Sequence, residues 1–380
     1  MFDTIVIGAG FAGAVVAREL AEKGERVLVI EQRSHIGGNC FDVEDAHGIL
    51  IHEYGPHIFH TSNEAVYSYL SQFTDWYHFK HKVVANVHGK YIPVPFNLHT
   101  LEQVYDQEKA KKLKEELLAT YGEGARVPIL ELKKNPSKDI QEIAEYVYEN
   151  IFLRYTMKQW GQKPEEVDGS VTARVPVVLS YDDSYFGDKY QGMPKVSYTS
   201  LFKNMLDHSA ITLRLNTKAE DVLSIPERGN VSFEGEKFFG KIVYTGPLDE
   251  LFGCRFGRLP YRSLEFAFEY YDKEYYQSNS VVNYTVSEDY TRITEFKYLT
   301  GQKTQGTTIM KEYPKNYTGE GGQIPYYAIL NPTNQKLYEQ YVELLKGIPN
   351  FYLVGRLAEY KYYNMDAIVA RALSMVEQMK

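Results

Sequence analysis

Cysteine is nearly absent: Cys40 and Cys254 are the two in 380 residues. A disulfide scaffold would need more, and no Cys-x-x-Cys pair offers metal spacing. The thiols are expected to be reduced and inert, as in a cytoplasmic protein. No run approaches the ~20 apolar residues of a membrane span. The apolar Ile5-Val6-Ile7 has Asp3 ahead of it and no basic leader, so it does not read as a signal peptide. Positive charge is also short. Lys and Arg number 42 against 50 Asp and Glu, a net charge of -8, which lacks the footprint of a nucleic-acid binder. Repeats, low-complexity tracts and long linkers are missing. What is plentiful is aromatic: 33 Tyr and 19 Phe, side chains that stack and, for Tyr, also hydrogen-bond. At roughly 100–200 residues per domain, the length implies two or three domains.

The first 34 residues read as one strand–helix–strand unit. Thr4-Ile5-Val6-Ile7 is a short buried-strand run. Val15 to Ala21 reads as a helix ended by Gly24, and Arg26 to Glu31 as the second strand. Between them, Gly8-x-Gly10-x-x-Gly13 is the dinucleotide fingerprint. Gly8 permits the tight turn, Gly10 lets a pyrophosphate approach the backbone, and Gly13 lets helix and strand pack closely. Phe11 and Ala12 open the helix, whose free N–H groups face the phosphates. Glu31 closes the second strand, where an acid binds ribose hydroxyls. Glu31-Gln32-Arg33 then leads to Gly37-Gly38-Asn39, and Leu353-Val354-Gly355-Arg356 repeats a strand-then-glycine pattern near the C-terminus. These segments resemble FAD proteins of the amine-oxidase and glutathione-reductase type. Their order favours FAD over NAD.

Elsewhere the pattern is coarser. Helical signals dominate between about 62 and 160. Gln107 to Thr120 reads as a solvated helix stopped by Gly122. After Asn135-Pro136 a helix is predicted with Asn135 as cap, Pro136 in its first turn and Asp139 near its positive end. Ile140, Ile143, Val147, Ile151 and Tyr155 share one face of it, continuing to Gln159. From about 262 to 313 the period becomes two, with Leu264, Phe266, Phe268 and Tyr270 on one face of a strand. Met365 to Gln378 reads as a final helix.

A set of segments running through the chain is far more specific than the fingerprint. It comprises Tyr54-Gly55-Pro56-His57-Ile58-Phe59-His60-Thr61, Tyr155-Thr156-x-Lys158-Gln159-Trp160-Gly161, Tyr181-Asp182-Asp183-x-Tyr185-Phe186, Gln191-Gly192-Met193-Pro194-Lys195, Tyr244-x-Gly246-Pro247-Leu248-Asp249, Tyr290-Thr291-Arg292-Ile293-Thr294-Glu295, Ile324-Pro325-Tyr326-Tyr327 and Gly355-Arg356-Leu357. In this order they resemble the UDP-galactopyranose mutase family, FAD-dependent and of the bacterial type. The resemblance implies an α/β fold: a Rossmann-type FAD-binding domain, an inserted helical bundle and an antiparallel β-sheet domain. The expected FAD domain takes 1–80, about 195–260 and 345–380. The helical substrate domain with a mobile loop takes about 81–194, and the sheet domain about 261–344. The implied reaction interconverts UDP-galactopyranose and UDP-galactofuranose. Reduced flavin N5 attacks the anomeric carbon and displaces UDP, with no net redox.

By the same resemblance, Tyr155 stacks on uracil with Phe152 and Gln159 nearby, and Trp160 lies beside the sugar. Arg174 and Arg292 hold the diphosphate, for which a guanidinium fork is suited. Tyr185, Tyr326 and Tyr362 donate to the same phosphates. His57 and His60 sit near the flavin, with His57 the better candidate for N5, and Arg356 stabilises the reduced ring. The start of the last helix, at Met365, points its positive end at the ring. Asn364 stands where many relatives carry Asp, and His81 where some carry Asn. No metal site is expected. The i,i+3 pair His57/His60 lacks a third ligand, and no Asp/Glu acid–base pair stands out. Partners are a small nucleotide sugar and, for the protein itself, a second copy in a homodimer; neither nucleic acid nor membrane is expected. The alternatives are an FAD oxidoreductase of the amine-oxidase type, a mutase also accepting UDP-N-acetylgalactosamine, and a non-catalytic nucleotide-binding protein.

Overall fold

A computed structural model describes residues 2–153, 157–158 and 176–379. Two compact units emerge, each built from separate stretches of chain. The first comprises Met1–His78, Asp188–Tyr261 and Tyr317–Lys380, the second Phe79–Gly187 and Arg262–Asn316.

In the first unit, β1 (Thr4–Ile7), α1 (Phe11–Glu22) and β2 (Val27–Ile30) form the expected opening. Helix α2 (Tyr198–Leu206), β3 (Ile211–Arg214), β4 (Lys241–Tyr244), β5 (Phe351–Leu353) and α3 (Met365–Gln378) follow. The sheet runs β3-β2-β1-β4-β5, and every pairing is parallel. Its centre is apolar on both faces: Ile5, Val6, Leu28, Val29 and Ile30 have no exposed surface, as a sheet covered on both sides requires. Helix α1 buries Val15, Val16, Ala17 and Leu20 and packs along α3. Gly24 ends it at φ +89°.

The second unit joins what the sequence reading separates. Strands Tyr261–Tyr271, Thr307–Asn316, Arg292–Glu295, Val281–Tyr284, Val83–Val87 and Lys90–Val94 lie side by side in that order. Val83, Ala85, Ile92 and Val281 share one core with Leu113, Leu117, Ile140, Ile143 and Val147 of the helices. Helices and sheet thus cover a common apolar surface. Residues 317–344 fall instead in the first unit, where Tyr338 and Tyr341 of helix Pro332–Glu343 pack with Leu248, Tyr261 and Tyr360.

Three local expectations change. The stretch Val83–Val94 is a hairpin rather than helix, turning at His88 and Gly89, both with positive φ, while Val83, Ala85 and Val87 alternate inward. The helix after Asn135 is Lys138–Val147, and its cap is Ser137, which accepts from the Ile140 N–H; Asn135 instead accepts from the Ser137 N–H at 2.9 Å. That helix passes into a π-helical turn over Tyr148–Leu153, burying both Ile151 and Phe152. The wider turn breaks the three-four stripe; Tyr155 and Gln159 lie outside the described residues. On strand Tyr261–Tyr271, Phe268 and Tyr270 are 37% and 39% exposed, because one half of this strand extends past the core.

Candidate functional site

A cleft opens at the carboxyl ends of the parallel strands of the first unit, the place where such sheets bind nucleotides. It contains about 1260 Å³ of unfilled space, partly open to solvent. Its floor is the turn after β1. Gly8 has φ +104°, and a Cβ there would overlap the Thr245 hydroxyl, which donates to the Ile7 carbonyl at 2.7 Å. A Cβ on Gly13 would overlap the Gly8 carbonyl oxygen. Gly10 faces Gly38, so that a Cβ on Gly38 would stand 3.1 Å from the Gly10 Cα. The two glycine segments therefore meet closely, tight for a Cβ on Gly38 and in ordinary contact, at 3.6 Å, for one on Gly10, and the Gly37 N–H donates to the Ala9 carbonyl at 2.9 Å. Phe11 and Ala12 stand at the start of α1 and line the same floor.

Glu31, at the end of β2, is 6% exposed. One carboxylate oxygen accepts the Ala9 N–H and the other the Arg33 N–H, each at 2.9 Å. A carboxylate offers about four acceptor positions, so Glu31 ties down both loops and still has lone pairs for ribose hydroxyls. Gln32, Arg33 and Asn39 line the same wall. The Arg33 guanidinium donates to Asn39 Oδ1 at 2.9 Å and lies 4.3 Å over the Tyr54 ring. Its Nη1 is buried with no partner among the described residues. A glycine cradle, a helix N-terminus and a half-buried cation with a buried, unused donor together fit a dinucleotide with its pyrophosphate.

The far wall comes from the last segment. Gly355, at φ +120°, and Arg356 line it, as do Met365 at the start of α3 and His57. Arg356 Nε donates to the Tyr363 carbonyl at 2.7 Å, with the guanidinium 4.7 Å over the Tyr362 ring. Tyr326 also lines the cleft, its hydroxyl donating to the Tyr54 carbonyl. Asn364 caps α3 by position, without a side-chain cap bond. His60 turns elsewhere: its Nδ1 lies 2.9 Å from Asp188 Oδ2, and it is not among the lining residues. Strand alternation explains this, since Phe59 and Thr61 point inward on either side of it. Gly13 lies behind the cleft rather than in it.

Other candidates belong to the second unit. Phe152 is 4% exposed within its core, which makes it packing rather than surface. Tyr185 stands edge-on to His81 at 5.5 Å, and His81 is buried. Arg292 forms a two-point ion pair with Glu312, Nε to Oε2 at 2.8 Å and Nη2 to Oε1 at 3.1 Å. Tyr155, Gln159, Trp160 and Arg174 lie outside the described residues. Among those described, no cluster of His, Cys, Asp and Glu could hold a metal, and no helix is long and apolar enough to cross a membrane.

Several lining residues escaped the sequence reading. Thr245 and Pro247 sit in the segment Tyr244 to Asp249, which the sequence motifs mark without giving either a role. Cys40 follows Asn39 directly, and burial pushes its thiol up to about 12. Thr217 and Glu220 carry no local signal; they reach the cleft because β3 pairs with β2.

Comparison with known proteins follows this geometry. A family model described as NAD(P)-binding Rossmann-like domain matches residues 6–73, and one described as UDP-galactopyranose mutase matches 150–362. A probable UDP-galactopyranose mutase of Klebsiella pneumoniae is 37% identical over 99% of this chain and 94% of its own. A dTDP-fucopyranose mutase of Escherichia coli is 34% identical over 99% of this chain and 98% of its own. Among solved structures, a reduced UDP-galactopyranose mutase superposes with a TM-score of 0.71 at 13% identity, covering 100% of this chain and 95% of that one; at that identity it speaks for the fold. With a mutase family model over more than half its length and full-length relatives above 30% identity, the chain is an isomerase that belongs to the UDP-galactopyranose mutase family.

Proposed function

We propose that this enzyme interconverts UDP-galactopyranose and UDP-galactofuranose using FAD held in the cleft of the first unit. The observation that carries the reading is the paired glycine cradle of Gly10 and Gly38 beside Glu31 and Arg33, set in a chain of this family. Reduced FAD, when bound, supplies at N5 a nucleophile for the anomeric carbon, so that UDP leaves and returns with no net electron transfer. The protein's part is to bind and orient. Arg33 and the α1 N-terminus hold the cofactor's pyrophosphate. His57 orients groups at the ring, and Arg356 with the start of α3 favours negative charge on it. Arg174 and Arg292 hold the substrate diphosphate, helped by Tyr185, Tyr326 and Tyr362. Tyr155, Gln159 and Trp160 receive the nucleoside and sugar, and Phe152 supports them from the core. Asn364 keeps hydrogen bonding at the edge of the ring without a charge. The working form is a cytoplasmic homodimer.

A second reading has a specific support. The 34% full-length identity to a dTDP-fucopyranose mutase favours a thymidine nucleotide of a deoxysugar as an alternative substrate. One experiment separates them. The protein is reduced once, the reductant removed without oxygen, and turnovers counted on UDP-galactofuranose, its N-acetyl analogue and dTDP-fucofuranose. Many turnovers per flavin on the first are expected. A halt near one product per flavin would mean an oxidoreductase, and preference for the thymidine nucleotide would support the second reading.

A further inference from the structure

One stretch of the cleft wall is shaped from below. Gly55 has φ +89°, and the chain turns there so that His57 Nδ1 comes 2.8 Å from the Gly55 carbonyl. The His57 main-chain N–H donates to Nδ1 of His52 at 3.0 Å. His52 ends strand Leu50–His52, is 1% exposed and is not a lining residue. A backbone N–H can only donate, so His52 Nδ1 carries no proton and the ring's proton sits on Nε2.

The surroundings keep it so. Asp42 lies directly opposite His52 on the paired strand. Its two oxygens accept the N–H groups of Tyr198 and Thr199 at the start of α2, at 2.6 and 2.7 Å, so both are already engaged, and burial pushes its carboxyl pKa up. The Tyr198 ring packs edge-on to His52 at 5.8 Å. Burial alone holds the His52 pKa down to about 4. An imidazole in such a place pays a desolvation cost that Leu would not. What it returns is a fixed main chain at His57.

We propose that His52 is a positioning residue for the cofactor face of the cleft: its Nδ1 fixes the His57 main chain, and with it the His57 side chain, against the bound flavin. This rests on the reading that FAD occupies the cleft. His52 itself touches no reacting atom.

Three substitutions separate placement from mere packing. His52→Asn puts a carbonyl oxygen close to the place of Nδ1. His52→Gln carries its oxygen out to the place of Nε2, and His52→Leu fills the space with no acceptor. Hydrogen exchange of the 53–60 peptide, followed by mass spectrometry, reads the His57 amide whether or not flavin is bound. It should be slow in wild type and His52→Asn, and fast in the other two. In the flavin-loaded proteins, the visible absorption band should shift in His52→Gln and His52→Leu. Their kcat on UDP-galactofuranose should fall about ten-fold or more at nearly constant KM, the scale expected when a buried donor loses its partner. His52→Asn should stay within about two-fold on the same argument. Equal exchange, spectrum and kcat in His52→Leu and His52→Asn would overturn the proposal, as would parallel losses in all three that track thermal stability. Should His52→Leu fail to fold, Asn against Gln decides. A wild type that binds no flavin or turns over no nucleotide sugar refutes the earlier reading, while the exchange data still judge His52.

Discussion

Removing Arg292 should weaken the fold as well as the reaction. Arg292 and Glu312 face each other on adjacent antiparallel strands, and their two-point pair leaves Glu312 fully buried and Arg292 22% exposed. The Thr291 hydroxyl also reaches Glu312 Oε1, at 3.4 Å. Breaking a buried pair from one side costs ~3–5 kcal/mol because the other charge stays behind. The partial exposure of Arg292 and the remaining Thr291 contact argue for the lower end, about 3 kcal/mol. At 2–4 °C per kcal/mol, Arg292→Ala should lower the melting temperature by roughly 6–12 °C. Its place outside the nucleotide fingerprint would alone leave stability near wild type; the buried partner changes that. Catalytic efficiency should fall by about one to two decades if a phosphate contact is also lost, and Arg292→Lys should rescue poorly because it loses the fork. Combining Arg292→Met with Glu312→Gln removes the stranded charge and should recover most of the melting temperature without recovering activity. Calorimetry and steady-state kinetics on the same preparations are the assay. An Arg292→Ala protein melting within a degree or so of wild type would refute the reasoning.

Other expectations can be checked in parallel. The purified protein should carry about one FAD per chain, measured as flavin released on denaturation; Gly10→Val should fold yet retain little, since its side chain enters the cleft. Gly13→Ala should instead fail by misfolding, seen as loss of soluble protein, because its Cβ meets the Gly8 carbonyl rather than open space. His52 has a folded pKa of about 4, below its unfolded value of ~6.5. The unfolded chain therefore binds more protons between those limits, so stability is full above ~6.5 and declines as pH falls towards 4, by at most ~1.4 kcal/mol per pH unit. Denaturant unfolding of His52→Leu should show a flatter profile over that window. Cys40, buried and with its thiol pushed up to about 12, should resist alkylation until the protein is unfolded, as read by intact mass.

The opening unit was legible because its signals are local: Gly8, Gly10, Gly13 and Glu31 lie within one strand–helix–strand. The final helix, Met365–Gln378, was read to its exact ends for the same reason. What escaped depends on partners distant in sequence. Nothing near Arg292 announces Glu312, which arrives through strand register. Thr217 enters the cleft through the β2–β3 pairing, and His52 matters through a bond to a main-chain atom that no side-chain pattern records. The cap at Ser137 was missed because Asn135 is an equally good cap by type; the chain uses Asn135 one step earlier, to hold the Ser137 N–H. The helical signal read over about 62–160 hid the hairpin Val83–Val94, whose turn at His88 and Gly89 takes a positive φ that Gly favours and His tolerates better than most side chains.

The order in which the strands of the first unit are laid down has a consequence for synthesis. β1 and α1 leave the ribosome ahead of the rest of their unit, but β1 pairs on one side with β4 at Lys241–Tyr244, and α1 packs along α3 at Met365–Gln378. Until α3 has emerged, the side of α1 that packs along it lacks that cover, and until Gly355 and Arg356 have emerged the cleft lacks the wall they provide. The nascent chain therefore cannot hold a dinucleotide firmly, and cofactor capture is a late event rather than a nucleus for folding. The second unit, whose helices follow one another along the chain, can assemble much of its core while the first is still incomplete. Protection of α1 during that interval, by a chaperone or by speed, is a requirement that this topology places on the cell.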